Sequence, residues 1–469
     1  MATEYGRRRG LINGVNMAEK YFSVKDFGAL GDGVTIDTSA VQRAIDEISE
    51  SGGGILSFKE GDFVLSTVFL KSGVHIVIEK SARILGAESF DDYNFHEVID
   101  YPAYQDQSHT YFDCSMFVGK NCENISISGG GAIDMRSVWD EENKRDIVCR
   151  GPKTIALKEC RNVRISDITV LHSTDLAIYF AGCENVDIER VKMRVYIDGI
   201  SPDNSKNVRI SNCDIDCGDD GIVFKSSYTL NRLDVCRDIT VQNCRVKSRC
   251  SAIKFGTETN GGFYNILVEN IDVRETRITG IAIESVDGAI IDGLTLRNIT
   301  MRNVGAPLFI HIGRRMRGPK GLEIGRIRNV TLENIKAEGP YEPYEAIAWN
   351  YKSFIARDNL QYPWSMDSSP AEKQLTSNVC GLRGIPLENI TLRNVSLTLE
   401  GGVQKFDPIV PDKSPEYPEV MVYGRELPAK GIYFRYVNGL TLENVNIATY
   451  HPDAREDFVF EAVENLRII

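Results

Sequence analysis

The phrase NVDIERVKM at residues 185–193 returns one repeat later as NVRISNCDI (207–215), then as NILVENIDV (265–273), NVTLENIKA (329–337) and NITLRNVSL (389–397). Its form is Asn, apolar, any, apolar, any, Asn or Asp, any, any, apolar: a strand alternation with turn-forming polar residues at fixed places. Further copies begin at Asn124, Asn162, Asp238, Gly293 and Gly439. The starts Asn162, Asn185 and Asn207 are almost evenly spaced, and so are Asp238, Asn265 and Gly293. A unit this short, rich in Val and Ile and without a helical period, buries its apolar face only by stacking on copies of itself. The fold expected is all-β: a single-stranded right-handed parallel β-helix. Leucine-rich repeats share the unit length, but their LxxLxLxxN spacing is missing and no helix-forming stretch fills the unit. The longer gaps after 329 and 389 read as loops.

The cysteines test the same phase. Cys122, Cys160, Cys183 and Cys236 each precede a repeat start by two residues, and Cys213 and Cys244 each follow one by six. Stacked rungs would align them as an internal ladder, in keeping with the burial usual for Cys. Eleven cysteines without a CxxC pair argue against a complete disulfide framework or a zinc ribbon. Ahead of the coils, Asp37 or Thr38 is placed to cap a helix reaching Ser49, with Val41, Ala44, Ile45 and Ile48 on one face. Such a helix would cover the open N-terminal end of the solenoid. Asp32 and Asp37 read as turn and cap residues before they read as calcium ligands. Residues 1–20 form an N-terminal extension, and 21–469 a single β-helix catalytic domain.

The 469 residues hold 54 Lys+Arg against 66 Asp+Glu, a formal charge of −12. That leaves no basic footprint for nucleic acid or an anionic membrane, and no apolar run approaches the roughly 20 residues of a membrane span. No signal peptide is legible at Arg7–Arg9 or the residues that follow, so the chain as written is expected in the cytoplasm. A removed signal would leave the same text, which keeps secretion or a periplasmic location open.

Chemistry concentrates between two consecutive coils. Asp220 follows Asp198 at the same interval by which the repeat at Asn207 follows the repeat at Asn185. Asp198 is therefore expected to stack over Asp220, with rungs about 4.8 Å apart. Asp198, Asp219 and Asp220 then share one patch, and like charges so close raise at least one pKa. A protonated acid beside an ionised base is what glycoside cleavage requires. Taken alone, Gly218-Asp219-Asp220-Gly221 also fits a plain turn; the register with Asp198 tips the reading towards catalysis.

With these residues in place, the chain from about Tyr21 onward resembles glycoside hydrolase family 28, the polygalacturonase-like enzymes. The family's Asn-Thr-Asp-Gly is matched by Tyr196-Ile197-Asp198-Gly199, and its Gly-Asp-Asp with a following Ile-Lys-Ser by Gly218-Asp219-Asp220 and Phe224-Lys225-Ser226. The resemblance implies Asp219 as general acid, Asp198 and Asp220 holding the attacking water, inversion at the sugar, Lys225 contacting it, and no metal or organic cofactor. The chain departs from the family at three points. The usual Gly-His-Gly is replaced by Ser248-Arg249-Cys250-Ser251, where Arg249 is a candidate to orient a catalytic Asp. The uronate-gripping Arg-Ile-Lys becomes Ala282-Ile283-Glu284, which removes both cations expected to pair with a carboxylate. Tyr196 and Ile197 make the neighbouring subsite less polar. Lys254, Glu258 and Arg274 are candidate replacement contacts, with Glu284 itself among the substrate-binding candidates.

The aromatic-rich segments Tyr93–Tyr111 and Tyr341–Trp364, including Trp349, interrupt the repeat and suit either sugar stacking or packing. Long loops walling a cleft suggest exo action on a pectin-type carbohydrate. Two rival readings stand beside the hydrolase. A polysaccharide lyase would need a calcium-binding carboxylate cluster and a cationic base. A non-catalytic, adhesin-like carbohydrate-binding β-helix would bind sugar without turning it over.

Overall fold

The computed structural model describes residues 20–139, 150–339, 341, 374–404, 409–412, 414–424 and 426–469. The expected N-terminal extension, apart from Lys20, lies outside these residues, as do Trp349 and Trp364. Among the described residues the strands join into one continuous set of parallel pairings, each strand on its counterpart one rung away. This is a solenoid of parallel strands, as the repeat requires.

One rung shows why. Strands Glu184–Glu189, Lys192–Val195 and Ile200–Asp203 are separated by short corners, and the next rung repeats them as Lys206–Ser211, Asp214–Cys217 and Ile222–Ser226. Alternate side chains point inward. Val186 and Ile188 lie over Val208 and Ile210, Met193 over Ile215 and Ile200 over Ile222, and all are buried. Burying each such side chain is worth about 1.5–3 kcal/mol, and the rings of Phe224 and Phe255 stack inside at 4.5 Å.

Every repeat start named above has a left-handed backbone, from φ +51° at Asn265 to +83° at Gly439. Asn tolerates that conformation better than other side chains that carry a Cβ. Its amide also bonds along the solenoid axis: Asn162 donates to Asn124 at 2.9 Å, Asn185 to Asn162 at 3.0 Å and Asn207 to Asn185 at 3.3 Å. The cysteines align as their phase requires. Cys160 lies between Cys122 and Cys183, its N–H 3.4 Å from the Cys183 Sγ, and Ser205 fills the next step before Cys236. The described cysteines are buried.

A helix spans Thr38–Glu50 and buries Ala40, Val41, Ala44, Ile45 and Ile48. Asp37 stands at its N-cap but makes no side-chain cap. Its carboxylate instead accepts the N–H groups of Leu30 at 2.7 Å and Gly31 at 3.0 Å, tying down the preceding loop. Asp32 closes its own turn by accepting from Val34 and Thr35. No described helix is long and apolar enough to cross a membrane.

Candidate active site

Asp198 and Asp220 occupy the same corner of successive rungs, just before the paired strands that begin at Ile200 and Ile222. Glycine lets these corners approach. A Cβ on Gly218 would lie 1.9 Å from the Tyr196 carbonyl oxygen, and one on Gly199 would lie 2.5 Å from that of Gly221. The carboxylates then bond up the stack: Asp198 Oδ1 accepts the Asp220 N–H at 3.2 Å, and Asp220 Oδ1 accepts the Ser251 N–H at 3.0 Å. Asp198 and Asp220 are each 4% exposed, while Asp219 is half-buried. One carboxylate oxygen each of Asp219 and Asp220 and the Cys250 thiol lie within 4.8 Å of one another.

Crowding and burial act together on this corner. Burial, then the charges of Asp219 and Asp220, push Asp198 well above the ordinary carboxylate range. Burial and Asp220 also raise Asp219, against the pull of Arg150 and Lys254. Asp198 and Asp219 therefore both hold their protons more tightly than an ordinary carboxyl group.

On the strands that follow, outward-pointing side chains line one face. Lys225 Nζ meets Glu258 Oε2 at 2.7 Å, and Lys254 Nζ meets Asp220 Oδ2 at 3.2 Å, all four side chains nearly fully buried. Burial alone would raise Glu258, but Lys225, His109 and Arg315 overcome it and hold that carboxylate well below its usual range. Glu284 lies on the adjacent strand, 1% exposed, and burial lifts it to about 8 in spite of Lys254.

Of the residues singled out from sequence, Asp198, Asp219, Asp220, Lys225, Lys254, Glu258 and Glu284 gather on this corner and face. Arg249 is half-buried, and its backbone N–H bonds the Cys217 carbonyl next to Gly218. Arg274 does not join them: it is exposed and pairs at 2.7 Å with Asp272, two residues away on its own strand. Ile197 is buried in an apolar cluster with Phe112, Leu176 and Tyr179 and does not line the face, whereas Tyr196 bonds Ser137 Oγ at 3.0 Å. The segment from Tyr93 is divided in role. Tyr93 is packed inside, while Tyr101 bonds the Thr229 carbonyl and Tyr104 meets the Tyr228 ring edge-on at 5.4 Å.

Sequence reading missed His109, Arg150, Arg315, Arg317 and Glu419. Arg317 reaches Glu258 Oε1 at 3.5 Å, and Arg315 pairs with Asp287. Burial raises Glu419 to about 7, against the pull of Lys254. All five sit in segments that interrupt the repeat, and that interruption was the one available signal.

The family model described as "Glycosyl hydrolases family 28" matches residues 62–347, a span that runs past Asp198, Asp219, Asp220, Lys225, Lys254, Glu258 and Glu284 but stops short of Glu419. A probable polygalacturonase of Vitis vinifera is 26% identical over 267 residues, 53% of this chain and 54% of that protein. The plasmin and fibronectin-binding protein A of Streptococcus pneumoniae is 33% identical over 174 residues, 36% of this chain and 23% of that one. The chain thus spans about half, or less, of these curated relatives. In fold it is similar to the family 28 exopolygalacturonase of Yersinia enterocolitica, with a TM-score of 0.69 at 18% identity, covering 96% of this chain and 78% of that structure. Motif, solenoid and family model agree, and the chain belongs to the glycosyl hydrolases of family 28.

Proposed function

We propose that the protein is a glycoside hydrolase that cleaves O-glycosidic bonds of a pectin-type poly- or oligosaccharide with inversion, acting from a chain end. The observation that carries this reading is the stacked trio Asp198, Asp219 and Asp220, two of them pushed upward by burial and mutual repulsion. Asp219, the most exposed of the three, is assigned as general acid and protonates the leaving glycosidic oxygen. Asp198 and Asp220 hold a water, and Asp220, paired with the Lys254 ammonium, takes its proton as its oxygen bonds the anomeric carbon from the opposite face. The C–O bond breaks, one water is consumed, and the protons balance.

Lys254 and Lys225, fixed by Asp220 and Glu258, hold the sugar against this corner, and Arg249 lines the turn beside it. Exo action is supported by the insertions that bring His109 and Glu419 to the face and by the likeness in fold to an exopolygalacturonase. In this reading residues 21–469 form one right-handed solenoid, with the Thr38–Glu50 helix over its N-terminal end. A calcium-dependent lyase suits the site poorly. Calcium takes six to eight oxygens, whereas the cluster of Asp219, Asp220 and Cys250 offers a thiol and already has the Lys254 ammonium on Asp220.

The test is reducing-sugar release with product chromatography on polygalacturonate, rhamnogalacturonan fragments and neutral plant oligosaccharides, with Asp219→Asn alongside. Saturated products from the wild type and none from the variant support hydrolysis. Unsaturated products point to a lyase, and sugar binding without any turnover points to a binding protein.

A further inference from the structure

Two buried polar side chains at this face have no task in the proposed reaction. His109 is 5% exposed, and neither ring nitrogen has a hydrogen-bond partner. It is nonetheless fixed: its ring stands edge-on to Tyr179 at 5.4 Å, and its carbonyl accepts the Tyr179 hydroxyl at 2.8 Å. Glu284 is 1% exposed, and its Oε2 also has no partner. Gly256 leaves the space for that carboxyl, since a Cβ there would lie 3.1 Å from Oε2. The Tyr179 hydroxyl also reaches Asp203 at 3.1 Å, Asp203 stands in register beside Lys225, and Gly256 lies two residues from the Glu258 that holds Lys225, so the two unsatisfied groups flank that one ion pair. Buried polar groups left without partners are costly, and a ligand that satisfies them recovers that cost.

The cations nearby are already engaged. Lys225 is held by Glu258, Lys254 by Asp220, Arg317 by Glu258 and Arg315 by Asp287. A sugar carboxylate would have to share these cations with carboxylates that already balance their charge, and it would meet Glu284 and Glu419 besides. Burial lifts Glu284 to about 8 and lowers His109 to about 4. Near neutral pH the first is therefore a protonated carboxyl that can donate, and the second a neutral imidazole with one donor and one acceptor. That set matches hydroxyl groups.

We infer that the sugar engaged at this face is a neutral one, read through its hydroxyls by His109 and Glu284, and that a uronate is rejected there. The inference rests on the reading that this face binds carbohydrate, and it adds the chemical class of the sugar.

The experiment is isothermal titration of the full-length Asp219→Asn protein with α-1,4-linked trigalacturonate and with its carboxyl-reduced, neutral counterpart. The neutral trisaccharide is expected to bind about tenfold tighter or better, as a site built on hydroxyl partners discriminates. In the same background, His109→Leu is expected to lose about tenfold in that affinity with an unchanged or higher Tm, because an apolar side chain leaves no nitrogen unsatisfied. His109→Gln, which keeps a donor and an acceptor, is expected to lose only about threefold or less. Tighter binding of trigalacturonate, binding of neither sugar, or unchanged affinity in His109→Leu overturns the inference. Turnover separates it from the hydrolase reading. If the wild type cleaves polygalacturonate and His109→Leu leaves KM unmoved, hydrolysis stands and the neutral sugar falls; if the neutral trisaccharide binds as expected and no substrate is cleaved, the reverse holds.

Discussion

Each rung that passes through Asn185 and Asp198, or through Asn207 and Asp220, has one corner that stacks asparagines and another that stacks aspartates. The backbone arrangement is alike: at both corners the same residue type recurs on successive rungs, at one shared interval. The chemistry is opposite. An amide has a donor and an acceptor, so an asparagine ladder satisfies itself, Asn207 bonding Asn185 and Asn185 bonding Asn162. Carboxylates only accept, so stacked aspartates repel and borrow N–H groups from Asp220 and Ser251, and Asp198 retains its proton well above the usual range. Stacking like on like thus stabilises at one corner and stores reactivity at the other.

The sharpest break between the corners is expected from Asp219→Asn. Turnover should fall by about a thousandfold, the scale of a lost general acid, with Tm unchanged, as read by reducing-sugar release and thermal unfolding. Next in size is Lys254→Met, which strips Asp220 of its buried partner at 3.2 Å. Urea unfolding should register a loss of about 3–5 kcal/mol. A loss under about 1 kcal/mol would place Asp220 among the merely solvated carboxylates.

Asp198→Asn turns a frustrated position into a neutral one and should raise stability at neutral pH while abolishing turnover. The folded protein holds the Asp198 proton more tightly than the unfolded chain does. The wild type therefore pays no penalty below the unfolded value near 3.8 and an increasing one as pH rises towards the raised folded value. The Tm advantage of the variant, about 2–4 °C for each kcal/mol, should accordingly shrink to nothing as pH falls to the unfolded value. An advantage independent of pH would rule out the burial argument. The smallest effect is expected at the other corner. Asn207→Ala loses the ladder bond and the short amide side chain that tolerates φ +53°, at about 1–2 kcal/mol, with turnover unchanged.

The solenoid was legible because its information is periodic: inward Val and Ile, a left-handed corner and often a buried Cys recur at fixed places within each repeat, and the register keeps that phase from Asn124 to Gly439. The heart of the site was legible for the same reason, since Asp198 and Asp220 are in phase with the coil. What escaped is aperiodic. His109, Arg150 and Arg317 reach the face from insertions, and no repeat relates their numbers to Asp219. Arg274, only a candidate contact, stays off the face because Asp272, two residues away and on the same side of its strand, holds it. Asp37 was placed correctly and assigned the wrong bonds, because capping preference weighs only the helix ahead and not Leu30 and Gly31 behind.

The glycine-lined approach of Tyr196 to Gly218 also governs how lineages of this protein can change length. An insertion or deletion of even one residue between Asp198 and Asp220 would rotate one carboxylate out of its corner or drive a side chain into the Tyr196 carbonyl, so that interval is closed to such events. A change of length in this protein is therefore expected to be tolerated only outside the interval from Asp198 to Asp220.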